Sequence, residues 1–511
     1  MPKQNAPIGK LLANLVAYAQ DNLDLGTFDA IYARNRLLAM FKLSEPSAAD
    51  SEIPPLQTGI LDPIVEYAVA NGLTDESEKL LFETRVMGLV TPAPSVVIAE
   101  FDAIAANEGT EAATDYLNKI GVNSNYIRMV DIKKNIKWTA EFPTGNLTVT
   151  INLSKPEKSN EQVARERNAP ATNYPKCLLC LDNLGFDGNA RHPARETIRV
   201  IPLYLNDEPW FMQFSPYVYF DGHCIAVSAE HHPMSITDKT FVRLLDFVEM
   251  FPHYFIGSNA DLPIVGGSIL AHEHYQGGKK VLPMFSRPVR RQFASKAYPS
   301  VNIGILDWYN SVVKLSGRVR ADVEAAASAI LAKWRKYTDT SVGIIAETSA
   351  PHNTITPIAT IENGDYVLYL ILRNNRTDDK HPYGIYHPTE DMHNIKKEGI
   401  GLIEAMGTFI LPGRLASEIR GIVDILSGSA PLDFASLSDE TNPLSKHLGM
   451  IMQLANDHGT ANSVDDAESI IVKYVNETCV RILECTAVFK NTEAGQEAFA
   501  KFLAALEIEP A

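Results

Sequence analysis

The chain has 511 residues and carries 46 basic against 62 acidic side chains, a formal net charge of −16. That length allows roughly two to four domains with ample core, and the acidic excess excludes a broad nucleic-acid surface, which needs a basic one. No apolar run reaches the length of a membrane span, and the first residues lack the basic start and apolar middle of a secretory signal, so the expected location is cytoplasmic, with no membrane partner.

The first ~140 residues read as mainly helical. Ile8 to Ala19 and Ile64 to Val69 have helical spacing, and Asp75 to Met87 follows Thr74, a residue suited to a helix N-cap. Thr91-Pro92-Ala93-Pro94 interrupts, and Val96 to Ala106 resumes the helical period. The pattern changes at Leu147 to Leu153, where apolar and polar residues alternate and many are β-branched, as in a strand. It runs into the basic loop Ser154-Lys155-Pro156-Glu157-Lys158, whose plain alternative is a solvated turn.

Further strands are expected at Thr197 to Leu205, Trp210 to Phe214 and His223 to Ser228. Thr240 to Phe251 carries the stripe Phe241, Leu244, Leu245, Val248, Phe251 of a core-facing helix. Beyond it the same kinds of element return. Asp322 to Tyr337 reads as a helix, Ser341 to Ala346 and Tyr366 to Arg373 as strands, and Ile400 to Leu411 as a buried helix ended by Pro412-Gly413. Asp465 to Leu506 reads as two amphipathic helices. Strands and helices in this order give an α+β or α/β chain.

The densest chemistry lies in Gly266-Gly267-Ser268-Ile269-Leu270-Ala271-His272-Glu273-His274-Tyr275-Gln276-Gly277-Gly278. In an extended segment His272, His274 and Gln276 would share one face. Imidazole is largely neutral and nucleophilic at pH 7, and glycines let backbone N–H groups approach phosphate oxygens. The plain alternative is a pair of core histidines. Five cysteines, Cys177, Cys180, Cys224, Cys479 and Cys485, form no disulfide framework, but Cys177 and Cys180 have the separation of two thiolates on one zinc ion. His231 or His232, with His272, would complete a closed structural site.

Together these stretches resemble the galactose-1-phosphate uridylyltransferases of the histidine-triad superfamily, specifically their second, bacterial sequence type. Tyr254 to Ser268 running into His272-Glu273-His274-Tyr275-Gln276-Gly277-Gly278 carries the resemblance. So do Tyr174 to Cys180, Ser215-Pro216-Tyr217, Asn374-Asn375-Arg376-Thr377 and Ile395-Lys396-Lys397-Glu398, and the likeness extends from roughly residue 60 to 420. The first sequence type has Pro where this chain has Glu273.

The resemblance implies an α+β fold with two histidine-triad-like halves built on antiparallel sheets. The expected divisions are 1–140 (mainly helical), 141–290 (the half with the nucleophile), 291–425 (the second half) and 426–511 (helical). It implies transfer of uridylyl from UDP-glucose to galactose 1-phosphate, with His274 as nucleophile and Gln276 contacting the transferred phosphoryl group. Asn259, Ser268, Lys155, Lys158 and Arg373 are the implied substrate-binding residues. Cys177, Cys180, His231 and His272 are the implied zinc ligands. A homodimer is expected on the same ground. A nucleotide-sugar hydrolase or phosphorylase of the superfamily is the alternative, which Gln276 disfavours because related hydrolases carry a third His there.

Overall fold

The computed structural model describes residues 7–154, 173–267 and 269–511. Lys155, Lys158 and Ser268 lie outside the described residues.

The N-terminal region is helical, with Ile8–Asn22, Thr27–Met40, Asp62–Ala70, Lys79–Val90, Pro94–Asn107 and Thr110–Asn123. The helix expected from Asp75 starts only at Lys79, and Pro94 occupies the first turn of its helix, where a missing N–H costs nothing. A small sheet follows: β1 (Ile136–Ala140) pairs antiparallel with β2 (Leu147–Asn152).

The remaining described strands, apart from one that joins this small sheet, form a single sheet. The first set is β3 (Ile201–Leu205), β4 (Glu208–Phe214), β5 (Cys224–Ser228), β6 (Tyr254–Gly257) and β7 (His274–Lys279). The second is β8 (Val289–Ser295), β9 (Asn302–Leu306), β10 (Val312–Gly317), β11 (Asn353–Glu362) and β12 (Asp365–Asn374). Strand β13 (Thr408–Pro412) runs parallel to β2, and β14 (Ile508–Pro510) closes the far edge beside β8.

The large sheet has the order β3-β4-β5-β7-β6-β11-β12-β10-β9-β8-β14, with every pairing antiparallel. Its two halves are topological copies. Each runs through three strands, a helix and two strands, and in each the fifth strand inserts between the third and fourth. They meet where β6 pairs with β11. The helices are Asp238–Met250 in the first half and Arg320–Trp334 in the second. On the first, Thr237 and Thr240 form a capping box, and Phe241, Leu244, Leu245 and Val248 are buried, as their spacing requires.

Both faces of the sheet are covered. On β12, Leu368, Leu370 and Leu372 join the core that contains both helices, whereas Val367, Tyr369 and Ile371 join a second core with β2, β13 and the C-terminal helices. This alternation follows from the two-residue period of a strand. The second core includes Cys479, buried on the long helix Val464–Thr486, while Glu493–Ala504 packs on the first. Among the described residues no single helix is long and apolar enough to cross a membrane.

Three expectations change. Ser341 to Ala346 is not a strand: Thr340–Val342 is a single 3-10 turn capped by Asp339, left-handed Gly343 follows it, and only one bridge, Asp339 to Ile344, remains. Ile400 to Leu411 is not one helix. Its helical part is Leu402–Ala405, and Gly407, at φ 93°, turns the chain into β13. A strand buried between two layers reads as a continuous apolar run, so its period cannot separate it from a helix. The strand expected from Thr197 begins at Ile201 and forms the sheet edge, where Pro202 needs no N–H partner.

Candidate active site and metal group

The site forms where β7 crosses the first half. Strand β7 lies between β5 and β6, with Val227 opposite His274 and Ile225 opposite Gln276. Side chains alternate along it. His274 and Gln276 line a cavity of about 850 Å³, a size suited to a small-molecule ligand.

Glu273 and Tyr275 turn to the other side and meet the helix Asp238–Met250. Arg243 Nη1 lies 3.1 and 3.2 Å from the two Glu273 carboxylate oxygens, and the Tyr275 hydroxyl donates to Glu273 at 3.2 Å. Trp210 stacks on Tyr275 at 4.7 Å. Glu273 thus gives the strand a buried ionic anchor.

His272 departs from the expected shared face. It precedes the first residue of β7 and points to the two cysteines. Its Nε2–H donates to the Ser228 carbonyl at 2.9 Å, which leaves the Nδ1 lone pair 3.3 Å from Cys177 Sγ and 3.8 Å from Cys180 Sγ. His231 Nδ1 lies 3.1 Å from Cys180 Sγ, and the two sulfurs are 3.5 Å apart.

All four ligand atoms lie within 4.8 Å of one another, so Cys177, Cys180, His231 and His272 form a group able to hold a metal ion. Tetrahedral zinc with ordinary Zn–S and Zn–N bonds needs donor separations of roughly 3.3–3.8 Å, close to those seen. His232 is elsewhere, with Nε2 3.2 Å from Ser228 Oγ. Burial and the neighbouring Cys177 push the Cys180 thiol up to about 11, a cost that a coordinated cation reverses.

His274 is almost wholly buried. Its Nδ1–H donates to the His272 carbonyl at 2.8 Å, so Nε2 carries the lone pair. Burial lowers the ring's proton affinity below the ordinary histidine value, which keeps that lone pair available at neutral pH. Gln276 receives a hydrogen bond from His223, whose Nε2 lies 3.1 Å from Gln276 Oε1.

Other candidates sit at varying distances from this chemistry. Asn259 lines the cavity, and its Oδ1 accepts from the Leu402 N–H at 2.8 Å, tying the first half to the second. Arg373, on β12, is fully buried; its Nη2 donates to the Ile400 carbonyl at 2.7 Å, and among the described residues Nε and Nη1 have no hydrogen-bond partner. Lys280 reaches the Ile361 carbonyl and Arg376 the Gly343 carbonyl, whereas Lys279 stands near Asp221.

The glycines divide. Gly266 and Gly267 line the cavity, and a Cβ on Gly267 would stand 2.6 Å from Asn259 Nδ2. Gly277 instead lets β6 approach, since a Cβ there would meet the Phe255 carbonyl at 2.4 Å.

Five charged or imidazole-bearing cavity residues were given no site role from the sequence: His223, Arg195, Lys396, Glu398 and Glu404. Arg195 lies over the Tyr126 ring, and its buried Nε has no hydrogen-bond partner among the described residues. Lys396 lies 3.1 Å from Glu404. Only Lys396 and Glu398 had any signal, as part of the stretch Ile395 to Glu398 that the resemblance picked out.

A neutral, hydrogen-bonded imidazole beside a carboxamide in a ligand-sized cavity is an arrangement suited to a group-transfer enzyme. The family model described as "Galactose-1-phosphate uridyl transferase, N-terminal domain" matches residues 24–233. A galactose-1-phosphate uridylyltransferase of Caldanaerobacter subterraneus subsp. tengcongensis is 45% identical over 485 residues, 93% of each chain. That of Fusobacterium nucleatum is 43% identical, covering 97% of this chain and 98% of its own, and that of Bacillus subtilis is 41% identical with 98% of both covered. No solved structure matches. The chain belongs to the galactose-1-phosphate uridylyltransferase family.

Proposed function

We propose that this chain transfers UMP from UDP-glucose to galactose 1-phosphate by double displacement through a uridylyl-histidine, as a step of galactose metabolism. His274 Nε2 attacks the α-phosphorus and glucose 1-phosphate leaves. Galactose 1-phosphate then attacks the same phosphorus, UDP-galactose forms and His274 is restored. Two easier steps replace one, and ping-pong kinetics follow. One observation carries this reading: the Nδ1–H of His274 is committed to the His272 carbonyl, which leaves Nε2 as a neutral nucleophile beside Gln276.

The Gln276 amide meets charge developing on the phosphoryl oxygens. A carboxamide is no acid near pH 7. The leaving group is itself a phosphate monoester and needs little protonation, so the covalent intermediate waits for a phosphate acceptor rather than water.

Asn259, Ser268, Lys155 and Lys158 enter this reading as substrate-binding residues on the resemblance. Arg373 contributes by holding the backbone at Ile400, between the cavity-lining Gly399 and Gly401. Arg195 and Lys396 add cationic charge for the phosphates, and Glu398 and Glu404 offer acceptors for sugar hydroxyls. The division into 1–140, 141–290, 291–425 and 426–511, a cytoplasmic location and a homodimer belong to the same reading, and sedimentation velocity measures the last.

Zinc is the proposed occupant of Cys177, Cys180, His231 and His272, because two thiolates and two imidazoles leave no open position and suit a structural ion. When bound, it supplies rigidity: it fixes His272, whose carbonyl holds His274. Incubation with UDP-glucose labelled in uridine tests the reading. Label becomes bound to protein and is released by galactose 1-phosphate as UDP-galactose. Turnover without protein-bound label refutes the covalent route, and release of UMP in the absence of any sugar phosphate marks a hydrolase.

A further inference from the structure

We propose that His223 is a positioning residue for the transfer: it fixes which end of the Gln276 carboxamide faces the phosphoryl group. The proposal rests on the reading of Gln276 given above. A primary carboxamide has two ends of similar shape and opposite polarity, and only the NH₂ end can donate to a phosphoryl oxygen. Strand geometry points the side chain into the cavity but leaves the rotation of its amide undecided. His223 supplies the missing constraint, because its Nε2 lies 3.1 Å from Gln276 Oε1, and no other side-chain hydrogen bond reaches Gln276 among the described residues.

The direction of this bond depends on the imidazole tautomer. His223 is 3% exposed, and its Nδ1 is buried with no hydrogen-bond partner among the described residues. With the proton on Nε2, the donor is satisfied and only a lone pair is left alone. With the proton on Nδ1, a buried N–H would be orphaned, which folded proteins avoid more strictly than an idle acceptor. A doubly protonated ring is disfavoured as well. Burial pushes its pKa down to about 4, so the ring is neutral at pH 7. His223 therefore donates, Gln276 Oε1 accepts, and the NH₂ group of Gln276 faces the substrate.

The ring is held for this task. Tyr219 stacks on it at 5.4 Å and 25°, and Phe220 packs at 4.6 Å and 33°. Tyr217 in turn stacks on Tyr219 at 5.7 Å. The His223 backbone is fixed too: its N–H donates to the Phe220 carbonyl, and its carbonyl accepts from the Ser215 N–H.

A double-mutant cycle with Gln276 separates positioning from support of the fold. His223→Phe keeps an aromatic ring for Tyr219 and Phe220 but removes the donor. His223→Gln places an amide N–H near the position of Nε2. Rates are measured per active site, counted as protein-bound uridylyl, so a smaller folded fraction leaves them unchanged. His223→Phe should lower turnover about 10- to 100-fold with KM for UDP-glucose within about twofold, and His223→Gln should recover most of the loss. In a Gln276→Ala background, His223→Phe should cost less than about twofold more.

Losses that multiply in the double variant overturn the proposal and leave the reading of Gln276 standing, as does unchanged turnover in His223→Phe. Full activity in Gln276→Ala overturns both. A second measurement needs no active variant. In ¹⁵N-histidine-labelled wild-type enzyme at pH 7, the resonances missing from folded His223→Gln should show a protonated Nε2 and a bare Nδ1. The opposite tautomer overturns the proposal.

Discussion

His274 Nδ1 stands 2.8 Å from the backbone carbonyl of His272, the residue whose own Nδ1 faces the two cysteine sulfurs. The four-donor group and the proposed nucleophile are thus joined by one hydrogen bond. Whatever fixes the His272 backbone also fixes the tautomer and aim of the His274 ring.

Removing the proposed nucleophile gives the most direct prediction. His274→Gly should lower uridylyl transfer by on the order of 10⁴-fold or more while leaving circular dichroism unchanged. Mass spectrometry of trapped wild-type enzyme should place the UMP adduct on His274, and an adduct on another side chain would show the nucleophile to be misassigned.

Metal removal should act on geometry before chemistry. Elemental analysis should find about one zinc per chain, and Cys177→Ala or prolonged chelation should lower the unfolding midpoint by more than about 5 °C with loss of activity. A metal-free preparation with full activity and an unchanged midpoint would exclude this role.

The anchor behind the active-site strand should show an asymmetry. Arg243 is held by both Glu208 and Glu273, whereas among the described residues Glu273 has Arg243 as its one close cation, with His232 at 3.6 Å. Arg243→Met should cost about 3–5 kcal/mol, the usual penalty for stranding a buried charge. Glu273→Gln should cost less than half of that, because Arg243 retains Glu208. Equal losses in urea denaturation would contradict the pairing.

Acid stability should depend on Glu418, far in sequence from the active-site strand. Burial alone would raise its carboxyl, but hydrogen bonds from His447 at 3.0 Å, Lys446 at 2.7 Å and Arg414 at 2.6 Å outweigh this and hold it at about 2. In the unfolded chain a glutamate titrates near ~4.3. The folded value is the lower one, so its stabilisation is complete above ~4.3 and is lost as pH falls from there toward about 2. Glu418→Gln should narrow the difference in urea midpoint between pH 5 and pH 3; an unchanged difference would remove Glu418 from the acid response.

The helix Asp238–Met250 was legible because its apolar residues keep one face and threonines mark its start. The paired helices of the tail were legible for the same reason. Strand β11 is not, since burial on both faces erases alternation, and the sequence of β13 reads as helix on the same account. Alternation did place His274 and Gln276 on one face, but it also placed His272 there, which the start of β7 prevents.

Residue types and spacing alone marked His272, His274, Gln276 and the Cys177–Cys180 pair as candidate chemistry, because these lie in two short motifs whose chemistry is local, and the resemblance supplied the roles proposed for them. Only the tertiary structure brought His223 to Gln276 across 53 residues and set Arg195, Lys396 and Glu404 around the same cavity; it also places His231, the histidine favoured by the resemblance, beside Cys180. Those relations are made by strand pairing and by packing between the two halves. Sequence spacing carries no record of them, because a hydrogen bond between strands depends on register and distance in space.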